Sequence, residues 1–341
     1  IGIYKGTFST IRPDDIAAHV IKPLIERNPN IPQDAYEDVM MGCANQAGED
    51  NRNVARMAGL LAGLPVSVPG ETVNRLCSSG LSAIVHAHRA IQTGDGEVFI
   101  SGGVENMTRG PLVIAKPSSA FGTDSKMYDS SFGWRFVNHK MAEMYGVDGM
   151  GNTAENLVEK YTISREDQDA FAACSQQKAA ASQKSGRLAK EIVAVEIPQR
   201  KKDSIIFKDD EFIRPGTTKE VLAKLRPAFK KEGGSVTAGN SSGLNDGAAA
   251  TIIASEDAVK KYHIKPSARV VSSAVVGVEP RSMGIGPVAA SNKALEKAGL
   301  TMDDMDVIEL NEAFASQALA CTRAWGLADD DQRINPNGGS I

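Results

Sequence analysis

Short apolar runs and helical stretches alternate along this chain, and a glycine often stands where one gives way to the other. Leu81, Ile84, Val85, Ala87 and Ile91 recur at helical spacing and stop before Gly94. Val98 to Ile100 then reads as a short buried strand running into Gly102 and Gly103. Near the other end, Val288 to Ala298 reads as a helix stopping at Gly299. Val307 to Leu310 reads as a strand, and Ala313 to Ala324 as a helix. Such alternation predicts an α/β fold with helices covering a sheet.

Between about 111 and 243 the pattern is less regular. Lys116 to Trp134 is rich in Ser, Gly, Asp and aromatic residues and reads as a long excursion. A helix follows from Arg165 to about Lys184, with Ser164 as N-cap, Asp167 three residues on, and Gly186 at its end. This middle stretch reads as an insertion between two α/β halves. The strings DAYEDVMMGCANQAG and DDMDVIELNEAFASQ share acids, an apolar strand, a turn and a helix start. One such echo is weak support for duplicated halves. At roughly 150 residues per domain, the 341 residues suggest two or three domains.

Composition removes several function classes. The formal net charge is −4, which argues against nucleic acid as the main partner. No window holds enough consecutive apolar residues for a membrane-spanning helix, and no signal peptide is visible. Cys43, Cys77, Cys174 and Cys321 are widely spread and form neither a disulfide framework nor a CxxC site, which predicts a reducing, cytoplasmic setting. With only five histidines, a histidine-rich metal centre is not expected. His86 and His88, two apart on a helix, read as structural or surface residues.

The string VNRLCSSGLSAI places Cys77 after a short apolar stretch and before a helix of small residues. The first N–H groups of a helix are unsatisfied and carry partial positive charge. A thiol there loses its proton more readily, and the thiolate is the nucleophile. Ser78, Ser79 and Gly80 add little bulk, so an acyl group could reach the sulfur. Taken alone, the position favours a buried packing cysteine, which is the commoner occurrence.

The longer string NRLCSSGLSAI resembles the nucleophile signature of the thiolases. GGVENMTRGP, GMGNTAEN, SREDQD, LRPAF, VTAGNSSGLNDGAAA, MGIGP, VIELNEAFASQ and NPNGGS follow in that family's order, so the resemblance covers nearly the whole chain. It implies a five-layer αβαβα sandwich of two related halves with an inserted loop domain. On this chain the first half is 1–110 with 244–262, the loop domain 111–243, and the second half 263–341. It also implies a reaction in which a cysteine takes an acyl group from one CoA thioester and passes it to another CoA. Cys77 is then the nucleophile. Asn311, in NEAF, matches the asparagine that orients a water in an oxyanion site, where fixed donors meet developing charge. By itself Asn311 also suits a strand-end turn.

Two further groups of the family are not matched. One is a histidine in a Gly-His-Pro motif, which follows NPNGG in the family. The other is a later cysteine in a Cys-Ile-Gly-like motif. This sequence stops at Ile341, short of both, and opens at Ile1 without the family's first strand. The resemblance therefore predicts a longer protein. The alternative is a fragment or relic without turnover, with apolar faces and strand edges exposed. None of the five histidines, nor Cys321, stands in a matching motif.

Residues 199–231 carry ten Lys or Arg and five acids, net +5 in a chain of net −4. A basic surface on an acidic protein suits a phosphate-bearing ligand, and a solvated loop is the even alternative. The resemblance makes this insert the platform for CoA. It aligns Arg214 with an arginine flanking the nucleotide. It places Met150, Phe229, Ala238, Ser242 and Phe314 near the pantetheine arm or thioester, and core packing is the alternative for Met150 and both phenylalanines. The expected ligands are CoA and acyl-CoA as substrates, with no tightly bound cofactor and no metal.

The stretch SSFGWRFVNHKMAEMYGVDGMGNTAEN resembles the 3-oxoadipyl-CoA thiolases, whose acyl tail ends in a carboxylate. Arg135 is a candidate to meet that tail. Acetoacetyl-CoA thiolases are the alternative, and a non-catalytic acyl-CoA-binding homologue is the alternative from another class. A condensing enzyme using a carrier protein fits less well, because such enzymes typically have histidine where Asn311 stands. Family habit predicts a homodimer or homotetramer.

Overall fold

A computed structural model describes residues 1–341. Its contacts divide the chain into two compact units. The first comprises Ile1–Phe132, Ile192–Glu211 and Leu244–Val270, and the second Gly133–Glu191, Phe212–Gly243 and Val271–Ile341. No helix is long and apolar enough to cross a membrane.

All strands belong to the first unit. They are β1 (Gly2–Ile3), β2 (Asp38–Gly42), β3 (Gly70–Val73), β4 (Val98–Asn106), β5 (Leu112–Ile114), β6 (Met127–Asp129), β7 (Val195–Gln199), β8 (Lys202–Phe207) and β9 (Asn245–Ala254). Five form one mixed sheet in the order β1-β9-β4-β2-β3. β2 lies parallel to β3 and β4, and β9 antiparallel to β4 and β1. β5–β6 and β7–β8 are separate antiparallel pairs.

Period-two alternation assigns the faces. Val39, Met41, Val98 and Ile100 pack with α1 (Pro13–Arg27) and α2 (Val54–Leu61). Met40 and Phe99 turn the other way, into a cluster with Ala83 and Ala87 of α3 (Ser79–Thr93). A strand buried on both faces reads as a continuous apolar run, as in VMM. The helix expected at Leu81–Ile91 is α3, and Gly94 closes it in the left-handed conformation (φ 80°).

Strand β4 differs from the expectation. It passes through Gly102 and Gly103 and ends at Asn106. A Cβ at Gly102 would lie 2.1 Å from the Ala249 carbonyl oxygen. These glycines therefore admit close neighbours within the sheet and do not end the strand.

The second unit is helical: α4 (His139–Tyr145), α5 (Met150–Tyr161), α6 (Arg165–Lys184), α7 (Lys219–Leu222), α9 (Gly286–Ala298) and α10 (Ala315–Ala324), with α8 (Glu256–Lys261) belonging to the first unit. Ser164 caps α6 by accepting from the Asp167 N–H. Every residue from Ala315 to Thr322 is buried, so α10 is the central helix of this unit. It packs with Leu157 of α5 and with Phe171 and Ala172 of α6.

The strand expected at Val307–Leu310 is reduced to one isolated bridge, Ile308 with Ile334. The Ile308 N–H donates to the Arg333 carbonyl, and the Asn335 N–H to the Ile308 carbonyl. At Leu310 the next partner is a side chain. Asn335 Oδ1 accepts the Leu310 N–H at 2.7 Å, and Asn335 Nδ2 donates to the Leu310 carbonyl at 2.8 Å. A side-chain amide thus completes the pairing that a neighbouring strand would otherwise supply.

Candidate active site

Cys77 stands in the first unit at the turn between β3 and α3, exposed to solvent. The other thiols lie deeper. Cys43 and Cys321 are buried, and Cys174 is half-buried. Burial pushes the Cys43 thiol well above its ordinary pKa, reinforced by Glu105 and Asp50. Burial pushes Cys321 up to about 11. Cys77 is thus the thiol a bulky thioester can approach.

The turn that presents it is strained and tied down. Leu76, just before Cys77, has φ +49°, a left-handed conformation that costs a non-glycine residue about 1–2 kcal/mol. Asn74 Oδ1 accepts the Leu76 N–H at 2.9 Å, and Asn74 Nδ2 donates to the Ala44 carbonyl at 3.1 Å. Ser79 Oγ donates to the Leu76 carbonyl at 2.6 Å and accepts the Arg75 N–H at 2.8 Å. Arg75 Nε reaches Ser82 Oγ on α3 at 2.9 Å.

Beneath the turn, the start of α3 rests on bare backbone. A Cβ at Gly42 of β2 would lie 2.3 Å from the Gly80 nitrogen and 2.3 Å from the Ser79 carbonyl carbon. A Cβ at Gly103 would meet the Gly42 oxygen at 3.1 Å and the Gly80 Cα at 3.4 Å. Gly42 and, less tightly, Gly103 let the helix start approach the sheet without side chains between them.

The residue types of Asn74, Gly42 and Gly103 alone do not mark them as site residues. An Asn two residues before a left-handed position is the available signal for Asn74, since Asx side chains bond backbone two residues on. Asn74→Ala should slow both Cys77 alkylation and turnover about tenfold, with about 1 kcal/mol lost in stability. Iodoacetamide labelling rates read beside thermal melts check this.

His86 lies 3.6 Å (Nδ1) from Glu71 Oε1. That contact fits the structural reading of the histidine.

The second unit holds the other candidates. Phe229 and Phe314 meet edge to face, ring centroids 6.0 Å apart at 87°. Gly151, next to Met150, lies beneath Phe229, where a Cβ would come within 2.1 Å of the ring. Phe314 is buried with Ala154 and Val236, and Phe229 and Met150 are exposed. Ser242 joins this group by donating its N–H to the Ala313 carbonyl at 3.0 Å, beside a bridge between Ser241 and Phe314. Ala238 is exposed at a turn in which Asn240 Oδ1 accepts the Thr237 N–H at 2.7 Å and Thr237 Oγ1 accepts the Gly239 and Asn240 N–H groups.

Arg214 is exposed, its guanidinium 5.5 Å from the Phe212 ring centroid and its N–H on Gln176 Oε1. The basic stretch is divided between the units: Arg200, Lys201, Lys202 and Lys208 lie in the first, and the cations from Arg214 onward in the second. One of the latter, Lys230, is paired with Glu159.

Asn311 is exposed between two buried neighbours, Leu310 and Glu312. Nothing in its residue type marks Glu312, yet it is 1 % exposed and triply hydrogen-bonded.

A surface depression of about 650 Å³ lies elsewhere in the first unit, lined by Ser9, Arg12, Glu49, Thr108 and Arg109 among others. Arg109 is bidentate to Glu49, and Arg12 to Asp14, so its cations are already neutralised.

The family model described as the thiolase N-terminal domain matches residues 1–257, and that of the thiolase C-terminal domain matches 264–341. The chain belongs to the thiolase family. This thiolase is 57% identical over 340 residues to a beta-ketoadipyl-CoA thiolase of Acinetobacter baylyi, an alignment covering 100% of this chain and 84% of that one. It is 55% identical to the 3-oxoadipyl-CoA/3-oxo-5,6-dehydrosuberyl-CoA thiolase of Escherichia coli K12, over 100% of this chain and 85% of that one. The crystal structure of a Bacillus anthracis acetyl-CoA acetyltransferase matches with a TM-score of 0.90 and 38% identity, over 99% of this chain and 83% of that one. The thiolase fold expected from the sequence motifs is therefore present.

Proposed function

We propose that this thiolase cleaves 3-oxoadipyl-CoA with CoA, giving succinyl-CoA and acetyl-CoA. The observation that carries the chemistry is the exposed Cys77 on its pinned turn, while Cys43 and Cys321 are buried. The identity to the beta-ketoadipyl-CoA and 3-oxoadipyl-CoA thiolases supports the choice of substrate.

In this reading the Cys77 thiolate adds to the 3-keto carbon. The C2–C3 bond breaks, and its electron pair leaves on C2 as the enolate of acetyl-CoA, which takes up a proton. The acyl group remains on Cys77 as a thioester. The thiol of a second CoA, giving up its proton, then attacks that thioester. Succinyl-CoA leaves and Cys77 is free again. Asn311 supplies, through an oriented water, a fixed donor for the charge on the enolate oxygen.

Residues 111–243 form the CoA-binding insert in this proposal. Met150, Phe229, Ala238, Ser242 and Phe314 contact the pantetheine arm, and Arg214 the nucleotide. CoA and acyl-CoA are the ligands, without a tightly bound cofactor. The enzyme works in the cytoplasm as a homodimer or homotetramer.

A substrate panel tests this. The expected result is a kcat/KM for 3-oxoadipyl-CoA at least tenfold above that for acetoacetyl-CoA, since a paired tail carboxylate contributes about 1.5–3 kcal/mol. Preference for acetoacetyl-CoA would make it an acetyl-CoA acetyltransferase. CoA binding with no turnover of either would make it a non-catalytic homologue.

Arg135, half-buried in the segment before α4, is the proposed partner of the tail carboxylate. Arg135→Ala should lower kcat/KM for 3-oxoadipyl-CoA about tenfold and leave acetoacetyl-CoA within about twofold. An equal loss on both substrates removes Arg135 from that role.

A further inference from the structure

The least expected group in the second unit is the carboxylate of Glu312. It is 1 % exposed and has no cation within ion-pair distance. Its Oε2 accepts the Ser175 hydroxyl of α6 at 2.5 Å and the Ile341 N–H at 3.3 Å. Its Oε1 accepts Asn335 Nδ2 at 2.7 Å. A Cβ at Gly339 would lie 2.0 Å from the carboxyl carbon, so only glycine fits there. Burial raises its pKa, while the bonds from Ser175, Asn335 and Ile341 pull the other way.

Burying a carboxylate with no cation in contact is unfavourable, even with the Lys178 charge acting on it from beyond ion-pair distance, and a well-packed apolar side chain would serve stability better. What the carboxylate does provide is position. Asn335 holds both the N–H and the carbonyl of Leu310, and the same Asn335 is held by Glu312. Ser340 Oγ donates to the Glu312 carbonyl at 3.0 Å, and the Ala313 carbonyl accepts from Ser242. Asn311 is therefore exposed from a segment whose backbone is fixed at Leu310, Glu312 and Ala313.

We propose that Glu312 is the positioning residue for Asn311, holding it through Asn335 and Ser175 where enolate charge develops. This rests on the thiolase reading above. Outward-set donors act on a transition state only when their supports are rigid.

The test uses the full-length enzyme in three variants, with kcat, KM and melting temperature read for each. In Glu312→Gln one of the two acceptors becomes an NH₂, facing either the Asn335 donor at Oε1 or the Ser175 and Ile341 donors at Oε2. Expected is a fall in kcat of about 10- to 100-fold with KM for CoA within about twofold, the signature of misplaced catalytic geometry. Ser175→Ala should shift kcat in the same direction by a smaller factor, and it decides the matter if Glu312→Gln does not fold. Asn311→Ala should lose at least as much as Glu312→Gln. A folded Glu312→Gln or Ser175→Ala with wild-type kcat, whatever its melting temperature, overturns the proposal. Wild-type kcat in Asn311→Ala would instead overturn the assignment of Asn311, a separate failure.

Discussion

Replacing Cys77 by serine is expected to abolish thiolysis, with kcat reduced by about a thousandfold or more. The reasons are additive in kind. A serine hydroxyl is almost wholly protonated at neutral pH, whereas a thiol supplies a thiolate fraction and is intrinsically the better nucleophile. The acyl-enzyme would become an ester, which a CoA thiol attacks less readily than a thioester. The substitution changes one exposed atom, so the fold should not respond. Two measurements separate outcomes: release of acetyl-CoA from a 3-oxoacyl-CoA, and the mass of the iodoacetamide adduct. In the wild type the label should arrive first on Cys77, because Cys43 and Cys321 are buried and burial raises both thiols. In Cys77→Ser fast labelling should vanish with activity. Retained turnover would move the nucleophile elsewhere and remove the basis of the proposed mechanism.

Why the turn at Cys77 is legible in the sequence while the hydrogen-bond set of Glu312 is not is a matter of range. The turn at Cys77 is local: Asn74, Arg75, Leu76 and Ser79 bond within a few residues of one another. Likewise α6 and α3 announce their ends through Ser164 and Gly94, residues that act on adjacent backbone. Glu312 takes its donors from 137, 23 and 29 residues away, a distance no local pattern spans. The same cause changes Val307–Leu310. Its apolar pattern is strand-like, but whether a ladder forms depends on the partner, and at Leu310 that partner is the side chain of Asn335. Gly102 and Gly103 in the sequence suggest the end of a strand; what they answer is the nearness of β9, β2 and α3. Glycine in sequence shows that something comes close, and only the structure shows what.

That nearness yields the other large effect. Gly42→Ala should destabilise the protein by about 3 kcal/mol or more and cut turnover with it. The new methyl would stand 2.3 Å from the Gly80 nitrogen and the Ser79 carbonyl carbon, both backbone atoms of the first turn of α3. Backbone cannot rotate aside as a flexible side chain can, so the helix start must retreat from β2. Overpacking of this kind usually costs about 1–3 kcal/mol, and here the displaced helix also draws Ala83 and Ala87 away from Met40 of β2 and Phe99 of β4 in their shared cluster. The retreat moves the Cys77 turn as well, and a shift of about 1 Å at a reacting group can cost about a hundredfold in rate. Gly80→Ala is the matched control. There the nearest atom to a new Cβ is the Gly102 oxygen at 3.5 Å, ordinary contact, and alanine favours a helix over glycine by up to about 1 kcal/mol. Thermal melts should therefore show Gly42→Ala well below the wild type and Gly80→Ala at or above it. If the two variants melt together, the close seating of α3 on β2 is not what fixes the height of the Cys77 turn above the sheet.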